Sequence, residues 1–177
     1  MSAKVLLLHG WGGSNSPHWQ SWLAGELAKE YGCVSFLEFS NYDFPKLDVW
    51  KRELKEHLEE FKPDIVVCHS LANILWFHLC NEGNISEVTK LFLVAPPSLK
   101  CKIEELKSFF PVTAPNNLYA KEVLLVTSTN DPYLSEDEAK ELQNALGVEM
   151  ETIQNGGHIN AASGYGPWPW ILEQINS

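Results

Sequence analysis

Ser70 stands where a short β-branched and apolar run, Ile65-Val66-Val67-Cys68, gives way to a helix-compatible stretch beginning at Leu71. A serine hydroxyl is a weak nucleophile until an imidazole takes its proton and a carboxylate orients that imidazole. Both partners occur downstream. Asp131 follows the apolar run Val123–Thr127 in Ser128-Thr129-Asn130-Asp131-Pro132, and His158 follows Val148–Ile153 in Asn155-Gly156-Gly157-His158. Each residue falls just past the carboxyl end of a predicted strand, the edge at which open α/β sheets assemble their sites. Singly, each has a plainer reading: Ser70 as a cap, His158 as a loop histidine, Asp131-Pro132 as a turn signal, with Asp137 and Asp43 as other available carboxylates. Jointly, Ser70, Asp131 and His158 are the groups of acyl transfer through a covalent serine intermediate.

That chemistry also needs donors for the developing oxyanion. The segment His9-Gly10-Trp11-Gly12-Gly13-Ser14 directly follows the first apolar run, and its glycines let backbone approach a substrate closely. The expected donors are the backbone N–H groups of Trp11, with Gly12 as the alternative, and of Leu71, the residue after the nucleophile. Trp11, His69 and Trp168 are the candidates for contacting substrate, although packing is the simpler role for His69. His9, His18, His57 and His78 lack HExxH or paired-ligand spacing, so no metal site is expected. The glycine-rich loop lacks the lysine of a P-loop and the third glycine of a dinucleotide fingerprint.

The elements that must position these groups alternate regularly. Apolar runs predict strands at Val5–Leu8, Val34–Phe39, Ile65–Cys68, Leu91–Ala95, Val123–Thr127 and Val148–Ile153. Amphipathic segments predict helices at Pro17–Tyr31, Leu47–Phe61, Leu71–Asn81, Ser135–Leu146 and Pro167–Ile175. Ser16-Pro17 reads as a helix start, Ser135 with Glu138 as a capping box, and Gly32 and Gly147 as helix stops. The pattern is that of a mostly or wholly parallel sheet of about six strands with helices on both faces. No linker or repeat divides residues 1–177, so one domain is expected. The long connection from Pro96 to Lys121, holding Phe109-Phe110-Pro111, reads either as a small helical insertion over the cleft, the preferred reading, or as an irregular surface excursion. The charged residues of Leu47–Phe61 read as a solvated face.

Composition narrows the partners. In 177 residues the hydrophobic fraction is 45% and the charged fraction 20%, ordinary for a soluble globular chain. A formal net charge of −10 disfavours nucleic acid and anionic membranes as partners. The four cysteines have no CxxC spacing and read as reduced thiols, Cys68 as a small packing residue. The run Val5-Leu6-Leu7-Leu8 is shorter than the roughly 7–15 residues of a signal-peptide core, so a cytoplasmic location is expected.

These motifs together resemble a known family. The strand–Ser70–helix layout is similar to the nucleophile elbow of α/β-hydrolases, and Ser, Asp, His is their chain order. Across nearly its whole length the chain resembles the small single-domain serine hydrolases that include the YdeN-type bacterial enzymes and the vertebrate retinoblastoma-binding serine hydrolase. The resemblance rests on His9–Ser14, Trp19, the elbow, Asn130-Asp131-Pro132, Gly157-His158-Ile159-Asn160-Ala161 and Ser163-Gly164-Tyr165-Gly166-Pro167-Trp168-Pro169. It implies a compact α/β-hydrolase fold without the first two strands of larger relatives, no large lid, no cofactor, and the triad Ser70, Asp131, His158. One departure is local. The family pattern has glycine two residues before and after the serine, where this chain has Cys68 and Ala72, both still small. The expected activity is hydrolysis of a small ester, thioester or amide, with short-chain carboxylesterase action first. The competing readings are a catalytically weak binding or regulatory protein on the same fold, and a nucleotide-binding domain.

Overall fold

A computed structural model describes residues 2–29 and 33–177. Its six strands are β1 (Lys4–Leu8), β2 (Cys33–Leu37), β3 (Ile65–His69), β4 (Val88–Val94), β5 (Ala120–Ser128) and β6 (Glu149–Ile153). Five helices follow them: α1 (Trp19–Lys29), α2 (Leu47–Phe61), α3 (Leu71–Glu82), α4 (Glu136–Leu146) and α5 (Pro169–Asn176). All five ladders are parallel, in the order β2-β1-β3-β4-β5-β6. The chain builds outward from β1 to β2, then crosses back to β3 and builds the other way. The reversal lies between β1 and β3, where a crevice opens beyond the strand ends.

Successive side chains on a strand point to opposite faces, and the core divides accordingly. Leu6 and Leu8, Val66 and Cys68, and Leu91 and Leu93 pack against α2, α3 and α4 on one face. Val5 and Leu7, Ile65 and Val67, and Phe92 and Val94 pack against α1 and α5 on the other. Both faces being covered explains why β3 is apolar and buried at every residue up to His69. Among the described residues, no helix is long and apolar enough to cross a membrane.

Element ends differ from the sequence pattern for physical reasons. β2 stops at Leu37 because its only neighbour, β1, ends at the paired Leu8. Phe39 therefore leaves the sheet and stacks on Trp50 of α2, ring centroids 4.5 Å apart. β4 begins at Val88, earlier than its apolar run, because Val88 and Lys90 pair with Ala120 and Glu122 at the start of β5. α1 starts at Trp19, so Ser16-Pro17 lies in the turn ahead of the helix rather than capping it. The expected end of that helix near Tyr31 and its stop at Gly32 lie outside the described residues. The Ser135–Glu138 capping box and the left-handed stop at Gly147 are present.

The connection after β4 contains a 3₁₀ turn, Glu104–Phe109. It does not roof the cleft. Phe109 is buried, its ring packs edge-on against Trp50 at 5.4 Å, and its carbonyl accepts from His78 Nε2 on α3 at 2.7 Å. The segment closes the gap between α2 and α3. The charged face of α2 is likewise more than solvated: Lys51 and Lys55 both reach Glu82 of α3 at 2.5 Å, and Glu53 accepts from Ser40 N at 3.0 Å.

Leu54 of α2 is fully buried against the sheet. Leu54→Ala is expected to lower unfolding stability by about 2–5 kcal/mol, read from the shift of a urea midpoint.

Candidate active site

β3 delivers Ser70 to the crevice in a conformation few residues adopt. Its φ is 55° and ψ is −122°, a strained turn between strand and helix that costs of order 1–3 kcal/mol and needs support from its surroundings. Three hydrogen bonds provide it. Ser70 N donates to Val94 O at 3.0 Å, and Asn73 Nδ2 donates to Ser70 O at 2.8 Å and Val94 O at 2.9 Å. Cys68 and Ala72 are fully buried on either side of the turn and the elbow forms with them in place. Burial pushes the Cys68 thiol well up from its ordinary range, so it stays a packing group rather than a reactive thiolate.

The three side chains marked by the sequence come together. Ser70 Oγ lies 2.7 Å from His158 Nε2, and His158 Nδ1 lies 3.0 Å from each Asp131 oxygen. The carboxylate requires the proton on Nδ1, which leaves Nε2 to accept from the serine hydroxyl. Asp131 is nearly inaccessible, and its Oδ1 also accepts Tyr133 N at 2.9 Å. Asp137 and Asp43 are exposed and make no contact with His158.

The loop carrying His158 is fastened from four sides. Gly157 N donates to Asn130 Oδ1 at 2.7 Å, tying the base loop to the acid loop. His158 N donates to Ser163 Oγ at 3.2 Å. His69 Nε2 donates to His158 O at 3.1 Å, and Trp19 Nε1 donates to Ile159 O at 2.8 Å. Asn73 has no role in the sequence pattern, and Asn130 and Ser163 are marked only as parts of motifs, because their hydrogen-bonding partners are distant in the chain or look like ordinary turn contacts.

The loop after β1 sits directly on the elbow. A Cβ at Gly10 would lie 2.8 Å from Ser70 Cβ and 3.0 Å from Leu71 N, so only glycine fits there. His9 fixes the loop's path: its Nε2 accepts Phe39 N at 2.9 Å, and its Nδ1 donates to Gly10 O at 2.8 Å. Gly12 N is spent on Tyr42 O at 3.0 Å, which removes it as the alternative oxyanion donor. The amides of Trp11 and Leu71 donate to no protein group among the described residues.

The cleft above Ser70 is small, about 270 Å³, and is lined by Trp11, Ser14, His18, His69 and His158 among others. Trp168 is not at this cleft. It is buried against α1, with its ring 5.1 Å from Trp19 and 5.2 Å from Tyr165. His69 borders the cleft but is buried, packed 4.8 Å from the His18 ring and 5.3 Å from the His158 ring. His18 Nδ1 accepts Gln20 N at 3.1 Å. Burial keeps both neighbours neutral: it pushes His18 down to about 4 and His69 well below the usual histidine range.

A strand–serine–helix elbow at the switch point of an all-parallel sheet, with acid and base on later loops, defines the α/β-hydrolase class. The profile of the family described as serine hydrolase matches residues 5–177, and the chain belongs to that family. The YdeN protein of Bacillus subtilis is 23% identical over 184 residues, covering all of this chain and 96% of its own. Its crystal structure superposes with a TM-score of 0.83 at 19% identity, covering 99% of this chain and 97% of that one. A YdeN-like protein from Pectobacterium atrosepticum gives 0.79 at 24% identity over 98% of this chain and 89% of its own. An esterase from Pyrococcus furiosus gives 0.67 at 16% identity, over 99% of this chain and 80% of that one. The protein is thus an enzyme of the serine hydrolase family, built on the α/β-hydrolase fold.

Two outcomes follow from this geometry. Gly10→Ala forces the loop after β1 off the elbow, and a displacement near 1 Å is expected to lower the hydrolase turnover about a hundredfold while circular dichroism still reports a folded protein. His18 is neutral when folded but titrates near 6.5 when unfolded, so its contribution is complete above that pH and is lost as pH falls towards its folded value of about 4. Between about pH 7.5 and about pH 5, wild type should lose about 2 kcal/mol more unfolding stability than His18→Asn, measured by urea titration at each pH.

Proposed function

We propose that this protein hydrolyses small carboxylic esters with short acyl groups through an acyl-enzyme. Ser70 is the nucleophile, His158 the general base and then acid, and Asp131 the group that holds the imidazole tautomer and stabilises its cation. The observation carrying the reading is the unbroken proton path from Ser70 Oγ through His158 to Asp131, at 2.7 and 3.0 Å.

Ser70 Oγ bonds to the substrate carbonyl carbon as His158 Nε2 takes the hydroxyl proton. The carbonyl oxygen becomes an oxyanion facing the unengaged amides of Trp11 and Leu71, each such donor being worth about 2.7–4 kcal/mol in comparable sites. His158 then hands its proton to the departing oxygen. A water, deprotonated in turn by His158, releases the acid and restores Ser70. The small cleft favours a short acyl chain, and the likeness to the Pyrococcus furiosus esterase supports esters over amides.

A fluorophosphonate probe followed by p-nitrophenyl esters of increasing chain length tests this. Wild type should label stoichiometrically and prefer the shortest esters. Ser70→Ala should lose the label and at least about 10⁴-fold in kcat. Absence of labelling in folded wild type would instead favour a catalytically weak binding protein on this fold.

A further inference from the structure

The large hydrophobic side chains left substantially exposed among the described residues are Trp11 at 38%, Phe44 at 65% and Tyr133 at 40%. Scattered singly they would need no explanation. They are not scattered. Trp11 lines the cleft, and its indole N–H donates to the carbonyl of Asp43 at 2.9 Å, one residue before Phe44. Tyr133 stands against the other end of the site, at His158, with its ring 4.6 Å from the His158 ring at 63°.

Tyr133 is exposed yet held. Its N–H donates to Asp131 Oδ1 at 2.9 Å, and its carbonyl accepts Ser98 N at 2.8 Å. With the backbone held at both ends and the ring packed against that of His158, Tyr133 presents a flat apolar surface at reduced ordering cost on binding. Direction is set by chemistry. His158 must protonate the departing oxygen, so the leaving group lies on the imidazole side of the carbonyl, next to Tyr133. The oxyanion lies opposite, at the Trp11 and Leu71 amides. Tyr133 does not line the cleft of about 270 Å³ itself, and its exposed ring stands beside His158 at the rim.

We infer that the preferred substrates are short-chain esters of aromatic alcohols, with the aromatic leaving group received by the exposed ring of Tyr133. This deepens the proposed function and rests on the serine mechanism. In the step concerned, the Ser70 Oγ–carbonyl bond forms, the bond from that carbon to the alcohol oxygen breaks, and the serine proton passes through His158 to the alcohol.

The test compares kcat/KM for benzyl acetate and butyl acetate, whose alcohols depart with similar intrinsic ease. Wild type should favour the benzyl ester by about fivefold to tenfold, the range of an aromatic pair. Tyr133→Phe should keep that ratio. Tyr133→Ala and Tyr133→Leu should each bring it towards unity, mainly through KM. A wild-type ratio near one, or a ratio untouched by Tyr133→Ala or by Tyr133→Leu, overturns the inference while fluorophosphonate labelling of Ser70 leaves the mechanism standing. Loss of labelling in wild type overturns both.

Discussion

The contact on which the site depends is the one between the buried Asp131 carboxylate and the ring of His158. A carboxylate removed from water is costly unless its lone pairs are met, and here the imidazole N–H and the Tyr133 amide meet them. That demand fixes the tautomer of His158, and the tautomer fixes Nε2 as an acceptor facing Ser70. Rotation of the ring would leave the buried carboxylate with the Tyr133 amide alone. The acid therefore orients the base through its own need for satisfaction.

Such a contact could not hold without the sheet beneath it. Asp131, His158 and Ser70 lie on three loops that follow β5, β6 and β3, and parallel pairing places those loops at one edge. β3 and β1 are neighbours across the chain's reversal, which brings Gly10 within Cβ distance of the elbow. The tightness suits the proposed mechanism, in which amides at the developing oxyanion act only if they approach closely. It is obtained with backbone alone: glycine at position 10, and a serine forced to positive φ at position 70.

What could be read in advance, and what could not, follows from the same physics. Fully buried parallel strands are apolar on both faces, so β3 and β1 stand out in the chain, and the Ser-Asp-His order marks side chains that prove adjacent. Strand ends were less legible because they are set by partners: β2 ends where β1 does, and polar Lys90 and Glu122 are drawn into the β4–β5 ladder by register. Trp168 was misjudged for a related reason. Its aromatic character says nothing of which face of the chain it occupies, and it fills the α1–α5 core against Trp19. Gly12 offered the right backbone freedom, but its amide was already committed to Tyr42 O. The tethering roles of Asn73 and Asn130 become visible only when the segments they join are adjacent in space.

The histidine cluster shows how the protein keeps the relay electrostatically simple. In the proposed mechanism His158 becomes a cation with the His69 ring 5.3 Å away and His18 beyond it. A second charge at that spacing would oppose the first by about 3 kcal/mol at an effective dielectric near 20, enough to slow the step more than a hundredfold. Burial removes the problem by holding both neighbours neutral. His69 then serves as a donor to the His158 carbonyl instead of a competing charge. Trp19 covers the His69 ring, and its indole N–H holds the next carbonyl of the loop, at Ile159. One aromatic residue on α1 thus packs against His69 and anchors the loop that carries His158, which couples the packing of that face of the sheet to the position of the imidazole at its edge.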